Sequence, residues 1–222
     1  MKYTKLPHID LIEHYQFITF RTNDSLDDYL KKIYDLEEKN SKKQMLADSY
    51  LDNSNKGAYL YDNKIDIFKK IIFDKNHELY ELISFAIMPN HIHLLLKQKA
   101  SLVDIIKYIK GKSAIEINRV LGKNGQFWAR DYYDRGIRDN AHFSTIYEYI
   151  LNNPTKANLI DAEDRVYSVY HWESFARNKF RVPGKSMPET SFGFLKSIGS
   201  KSTGTVDLST DKRIVWNARF FP

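Results

Sequence analysis

The chain reads as an α+β domain of ferredoxin-like type, an antiparallel sheet with helices packed on one face, plus a basic C-terminal extension. Three observations predict this. Apolar residues switch between a period of two and a period near 3.6, in the order β-α-(α)-β-β-α-β-α. Two strand-like runs, Tyr80 to Ile87 and His91 to Lys97, are separated only by Met88-Pro89-Asn90. That break has turn chemistry and suits an antiparallel hairpin, with a single kinked strand as the alternative. The net charge of +6 is placed unevenly: from Arg177 onward there are nine Lys/Arg and three Asp/Glu, and the first 176 residues balance. The predicted domain therefore spans 1–176. Residues 177–222 form a basic tail, either a solvated and poorly ordered segment or an arm that binds nucleic acid.

The elements follow in order. His14 to Arg21 is aromatic and β-branched and reads as a strand. Leu26, Leu30, Ile33 and Tyr34 recur at helical spacing, which predicts a helix from about Ser25 to Asn40. Residues 41–63 are mixed and polar, with a loop at Asp52-Asn53-Ser54-Asn55-Lys56-Gly57. Ile65, Phe68, Ile71 and Ile72 make a second helical face before the two hairpin strands. Ser101 to Leu121 is the clearest helix: Ser101 and Asp104 resemble a capping box, and Leu102, Ile105, Ile106, Ile109, Ile117 and Leu121 form one stripe. Phe127 to Ile137 is a strand or an irregular segment. Asp139 or Asn140 caps a last helix that runs to about Asn152, where Pro154 forces an end.

Composition removes several function classes. There is no cysteine, so disulfides, thiolate metal sites and cysteine nucleophiles are excluded. No segment approaches about 18 unbroken apolar residues, and the N-terminus has no apolar targeting core. The expectation is a soluble cytoplasmic protein with no membrane partner.

The stretch His91-Ile92-His93-Leu94 carries the chemistry. On a strand, residues two apart share a face, so His91 and His93 aim both imidazoles one way while Ile92 and Leu94 face a core. A lone histidine is most often structural; an alternating pair is less easily so, because both rings need partners when buried. Two neutral imidazoles make half of a metal or phosphate site. Leu95 stands where a third alternating histidine of the histidine-triad hydrolases would be. The paired His-x-Ser/Thr motifs of two-histidine phosphoesterases are absent, as is a zinc-protease His-Glu-x-x-His.

The last helix offers the other half. Its core stripe is Phe143, Ile146, Tyr147 and Ile150. At about 100° per residue, Tyr149 lies about 110° from the centre of that stripe. Tyr147 is therefore core and Tyr149 is free for chemistry. Asn153, four residues on, projects from the same side. If that side docks on the histidine face, two imidazoles, an amide oxygen and a phenol converge, a set that suits Mg²⁺ or Mn²⁺ with phosphate oxygens completing the sphere.

These residues carry a resemblance. Met88-Pro89-Asn90-His91-Ile92-His93 and Tyr149-Ile150-Leu151-Asn152-Asn153-Pro154, together with Phe17-Ile18-Thr19-Phe20-Arg21, Ile109-Lys110-Gly111-Lys112, Phe127-Trp128 and Asp134-Arg135-Gly136-Ile137-Arg138-Asp139, are similar to the REP-associated tyrosine transposases. That group is a branch of the single-tyrosine HUH endonucleases, and the resemblance runs from about Tyr15 to Phe175. One departure is Asn158, where the family commonly has glycine; asparagine tolerates the same left-handed turn.

The resemblance implies a metal-dependent single-stranded DNA endonuclease and strand transferase. His91, His93 and Asn153 would bind a divalent metal, Mg²⁺ or Mn²⁺. Tyr149 would attack phosphorus, giving a 5′-phosphotyrosine and a free 3′-hydroxyl. Arg138, Arg135, Lys110 and Lys112 are candidates for phosphate contacts. The partner would be single-stranded DNA with hairpins, bound by a monomer or a homodimer. His142 reads as a solvated surface histidine, and no side chain stands out as a base. A single-strand nucleic-acid binder without turnover, or a domesticated regulator of a mobile element, is the competing reading.

Overall fold

The computed structural model describes residues 10–170. The boundary expected at 176/177 and the basic tail lie outside the described residues. In chain order the elements are β1 (Tyr15–Arg21), α1 (Asp28–Tyr34), α2 (Asn40–Asp52), α3 (Asn63–Asp74), β2 (Tyr80–Ile87), β3 (His91–Gln98), α4 (Leu102–Leu121), β4 (Tyr133–Gly136), α5 (Asn140–Lys156) and β5 (Val166–Ser168). The strands form one antiparallel sheet in the order β4-β1-β3-β2-β5. The fold is thus α+β with an antiparallel sheet, as the pattern predicts.

β2 and β3 form the hairpin, closed by the Met88 N–H donating to the His91 carbonyl at 2.9 Å. A register shift between Leu82 and Ser84 marks a bulge. β1 pairs with β3 so that Thr19 faces His93 and Arg21 faces His91. Alternation then sorts the side chains. Ile18, Phe20, Ile92, Leu94 and Leu96 join Phe68, Ile72, Ile105 and Ile109 of α3 and α4 in the larger core. Phe17, Ile83, Ala86 and Leu95 point the other way and meet Phe143, Ile146, Tyr147 and Ile150 of α5. Helices therefore cover both faces, which corrects the expectation of a single covered face. Phe17 and Leu95 give the histidine side an apolar seat of its own, on which α5 packs.

Three further boundaries differ from expectation. The helix expected over about 25–40 is the short α1, and α2 occupies the stretch read as polar and irregular. The buried face of α2 is Gln44, Ala47, Asp48 and Leu51, a helical repeat that is half polar and so invisible to apolar periodicity. Pro154 does not end α5. A proline removes only its own N–H bond, and α5 continues to Lys156 with Pro154 inside it. The chain then exits through Asn158, whose φ of 54° is left-handed as expected of its asparagine. β5 is a three-residue edge strand with too little length to show a pattern. The expected caps are present: Ser101 Oγ accepts from the Asp104 N–H at 3.1 Å, and an Asp139 carboxylate oxygen accepts from the His142 N–H at 2.8 Å. Among the described residues no helix is long and apolar enough to cross a membrane.

Candidate active site

His91 and His93 sit on β3 with no exposed surface. Burial alone pushes His91 down to about 3, and burial together with His91 holds His93 well below the ordinary histidine range. Both rings are therefore neutral at neutral pH, the state in which imidazole donates a lone pair. Asn90 decides which nitrogen is bare. Its Nδ2 donates to the carbonyls of Leu51, Ser54 and Lys56 at 3.1, 2.9 and 3.3 Å, which leaves Oδ1 to accept from His91 Nδ1 at 2.8 Å. His91 Nε2 then faces the site as an acceptor. His93 Nδ1 is held by the Thr19 hydroxyl at 2.8 Å, so its Nε2 faces the same point. The two Nε2 atoms are 3.0 Å apart. Two ligands at right angles on a cation with bonds near 2.1 Å stand about 3 Å apart.

α5 brings the expected partners. The Tyr149 hydroxyl lies 3.5 Å from His93 Nε2, and the ring meets His93 edge-on at 5.2 Å between centroids. With its amide oxygen toward the imidazole, Asn153 accepts from His93 Nε2 at 2.8 Å and lies 3.3 Å from the Tyr149 hydroxyl oxygen. Its Nδ2 then donates to both oxygens of Asp52, at 3.3 and 3.2 Å. Tyr147 turns into the core, where it bonds Ser168 and donates to the Tyr170 carbonyl at 3.0 Å. The helix geometry thus separates the two tyrosines as expected. His91, His93, Tyr149 and Asn153 are brought together.

Two acids of α2 complete the cluster, and neither emerges from the sequence reading. Asp48 is 4% exposed; its Oδ2 accepts from the Tyr149 hydroxyl at 3.0 Å and its Oδ1 from Gln44 at 2.6 Å. Asp52 Oδ1 lies 3.5 Å from His91 Nε2. The one sequence signal is their spacing: Asp48 and Asp52 are four apart and share a helix side. Burial and the neighbouring Asp52 hold the Asp48 carboxyl far above the usual carboxylate range. Burial lifts Asp52 to about 7, against the pull of Lys156. Burial and these two carboxylates raise the Tyr149 phenol well above 10. The Tyr149 phenol is therefore protonated at neutral pH. Neutral imidazoles, an amide oxygen and buried carboxylates together fit a hard or borderline divalent cation.

The basic candidates separate. Arg135 stands opposite Phe17 on the histidine face, and Arg138 is exposed just before α5. Lys110 Nζ donates to the carbonyls of Ala129 and Arg130 at 2.7 and 2.9 Å, and burial lowers it to about 8. Lys112 is exposed on α4, where its charge acts on Asp74 of α3. Neither lysine is brought to the histidines. Arg21, opposite His91, is a cation on the site face that the sequence reading did not single out. His142 is not a solvated surface histidine: it is 9% exposed, its Nδ1 accepts from the Arg138 N–H at 3.3 Å, and burial and two arginines lower it to about 4.

Comparison with known proteins follows the same stretch. Residues 56–153 match the family described as IS200-like transposases. An uncharacterised protein of Haemophilus influenzae is 28% identical over 113 residues, covering 37% of this chain and 57% of that protein. A second protein of Haemophilus influenzae, named for the REP-associated tyrosine transposases, is 28% identical over 108 residues, covering 43% of this chain and 61% of its own. The chain spans about three fifths of the length of these curated relatives. A solved REP-associated tyrosine transposase bound to a REP hairpin aligns with a TM-score of 0.49 at 14% identity, over 96% of this chain and 99% of that one. The matched segment, somewhat under half of the chain, holds His91, His93, Tyr149 and Asn153.

Proposed function

We propose that the protein is a metal-dependent single-stranded DNA endonuclease and strand transferase acting on hairpin-forming repeats through a 5′-phosphotyrosine. One observation carries the reading: the Tyr149 hydroxyl lies 3.5 Å from His93 Nε2 and on the same helix side as Asn153. A phenol beside two neutral imidazoles, one with its tautomer set by Asn90, is of no use to a passive binder.

His91, His93 and Asn153 would hold the cation, with Asp48 and Asp52 beside them. A divalent cation such as Mg²⁺ or Mn²⁺ held there would supply Lewis-acid polarisation of a phosphodiester. Tyr149 Oη then attacks phosphorus. The Oη–P bond forms as the P–O3′ bond breaks, one strand leaves with a 3′-hydroxyl, and the other stays on Tyr149 through its 5′-phosphate. A later 3′-hydroxyl reverses the step and joins strands, since the ester energy is kept. The phenolic hydrogen is already directed at Asp48 Oδ2. Arg21 and Arg135 share the sheet face with the histidines and add positive charge for the DNA backbone, with exposed Arg138 nearby in the chain.

The test is covalent capture. Hairpin-bearing single-stranded oligonucleotides are incubated with the full chain and Mn²⁺, then resolved under denaturing conditions. We expect an adduct that disappears in Tyr149→Phe. An adduct that survives this change, or none with any repeat of the source genome, overturns the reading.

A further inference from the structure

We propose that Asp48 is a ligand of the divalent cation, so that α2 builds part of the metal centre and the cation latches α2 onto the sheet. This rests on the metal-dependent reading above and deepens it.

The geometry supplies the donor. One oxygen of Asp48 and one nitrogen each of His91 and His93 all lie within 4.8 Å of one another. Opposite ligands on an octahedral Mg²⁺ stand about 4 Å apart, so a small inward shift closes the set. Asp48 Oδ2 uses one lone pair for the Tyr149 hydroxyl and keeps others for a cation.

The surroundings of Asp48 supply no charged partner of their own. Asp48 is 96% buried, yet both groups that bond it, the Gln44 amide and the Tyr149 phenol, are neutral. Among the described residues no cationic side chain pairs with it. To ionise in this site Asp48 needs a counter-charge, and a cation beside His91 and His93 would supply it. Asp52 differs. Lys156 acts on it electrostatically, and it accepts both bonds from Asn153 that turn the amide oxygen inward. Asp52 is thus a positioning residue for Asn153, and Asp48 is the direct donor.

The way α2 is attached fits a latch. Its apolar residues Ala47 and Leu51 pack with Leu30 and Ile33 of α1 in a cluster separate from both sheet cores. Near the site, its ties to the body are polar: the Leu51 carbonyl held by Asn90, and the two acids. A cation shared by Asp48 and the β3 histidines adds a bond between α2 and the sheet where apolar packing supplies little.

The experiment uses the full chain. Mn²⁺ affinity is measured by calorimetry for the wild type, Asp48→Asn, Asp52→Asn and His91→Ala. Hydrogen exchange of residues 40–52 is followed with and without Mn²⁺. We expect Asp48→Asn to weaken Mn²⁺ at least tenfold, Asp52→Asn to weaken it less, and Mn²⁺ to slow exchange in 40–52 in the wild type but not in Asp48→Asn. If Asp48→Asn binds Mn²⁺ as the wild type does while His91→Ala has lost it, Asp48 is no ligand and the transferase reading stands. If His91→Ala also binds normally, the metal centre itself is refuted. The exchange experiment on the wild type needs no variant to fold: unchanged exchange in 40–52 on saturation with Mn²⁺ overturns the latch.

Discussion

The two faces of the sheet come from the same strands and are built on opposite terms. On one face Ile18, Phe20, Ile92, Leu94 and Leu96 meet α3 and α4 in an apolar layer. On the other, β1 and β3 divide. Phe17 and Leu95 seat α5, and Thr19, Arg21, His91 and His93 line the site. The first face is held by burial, which is non-directional and scales with area. The second contains fully buried polar groups that burial opposes, so it is held by aimed hydrogen bonds such as Asn90 to His91 and Thr19 to His93. Stability and chemistry are thereby assigned to alternate residues of one strand, and neighbouring substitutions on β3 should separate them.

The largest effect is expected at Leu94. Leu94→Ala removes a fully buried side chain from the larger core and should cost about 2–5 kcal/mol in urea unfolding, leaving Mn²⁺ binding intact in the protein that remains folded. His93→Ala, one residue away, should abolish covalent DNA capture and cost much less stability than Leu94→Ala. A His93 variant that is the less stable of the two breaks the division between faces.

How much of this was legible depended on which face a residue served. Period-two alternation on β3 and the 3.6 period of α4 and α5 are apolar signals, and they located the sheet, the helices and the choice of Tyr149 over Tyr147. The histidine pair was legible because an imidazole is conspicuous in a strand. Asp48 and Asp52 were not, because α2 turns a half-polar face inward and its buried positions look solvated in sequence. Asn90 was visible only as a turn former; that its side chain binds three carbonyls 34 to 39 residues away is a tertiary fact. Pro154 misled on the end of α5 for the opposite reason, since a strong local signal yielded to the packing around it.

Asn90 gives the next effect. Asn90→Ala removes the acceptor that keeps the proton on His91 Nδ1, and frees the chain segment that closes on β3. Mn²⁺ affinity should fall about 10- to 100-fold, the usual range for groups that orient a ligand. Calorimetry on the folded variant measures it, and an unchanged affinity would mean that the His91 tautomer is set elsewhere.

Lys110 and Arg138 sharpen the comparison on the DNA side. Lys110 sits over the Phe20 and Tyr132 rings and binds two carbonyls, so Lys110→Met should cost about 1–3 kcal/mol of stability and leave the salt dependence of DNA binding unchanged. Exposed Arg138 should behave in reverse: Arg138→Ala should lower the slope of log affinity against log salt by about 1, with stability unaltered. Equal slopes for the two variants would erase the distinction between a pinned and a free cation.

The smallest effect concerns His142, a buried histidine outside the candidate metal site. Among the described residues its Nε2 has no hydrogen-bond partner, and burial with Arg135 and Arg138 lowers it from 6.5 to about 4. Above pH 6.5 it is neutral whether the chain is folded or unfolded, and it adds no pH dependence. Between about 6.5 and 4 the unfolded chain takes up a proton that the folded chain refuses, so this histidine makes stability fall as pH falls. His142→Gln cannot take up that proton. Its unfolding free energy should therefore drop less than that of the wild type between pH 7 and pH 5, by on the order of 1 kcal/mol. Parallel losses in the two proteins would show that His142 is protonated in the folded state after all, and that its neighbouring arginines are too far into solvent to prevent it.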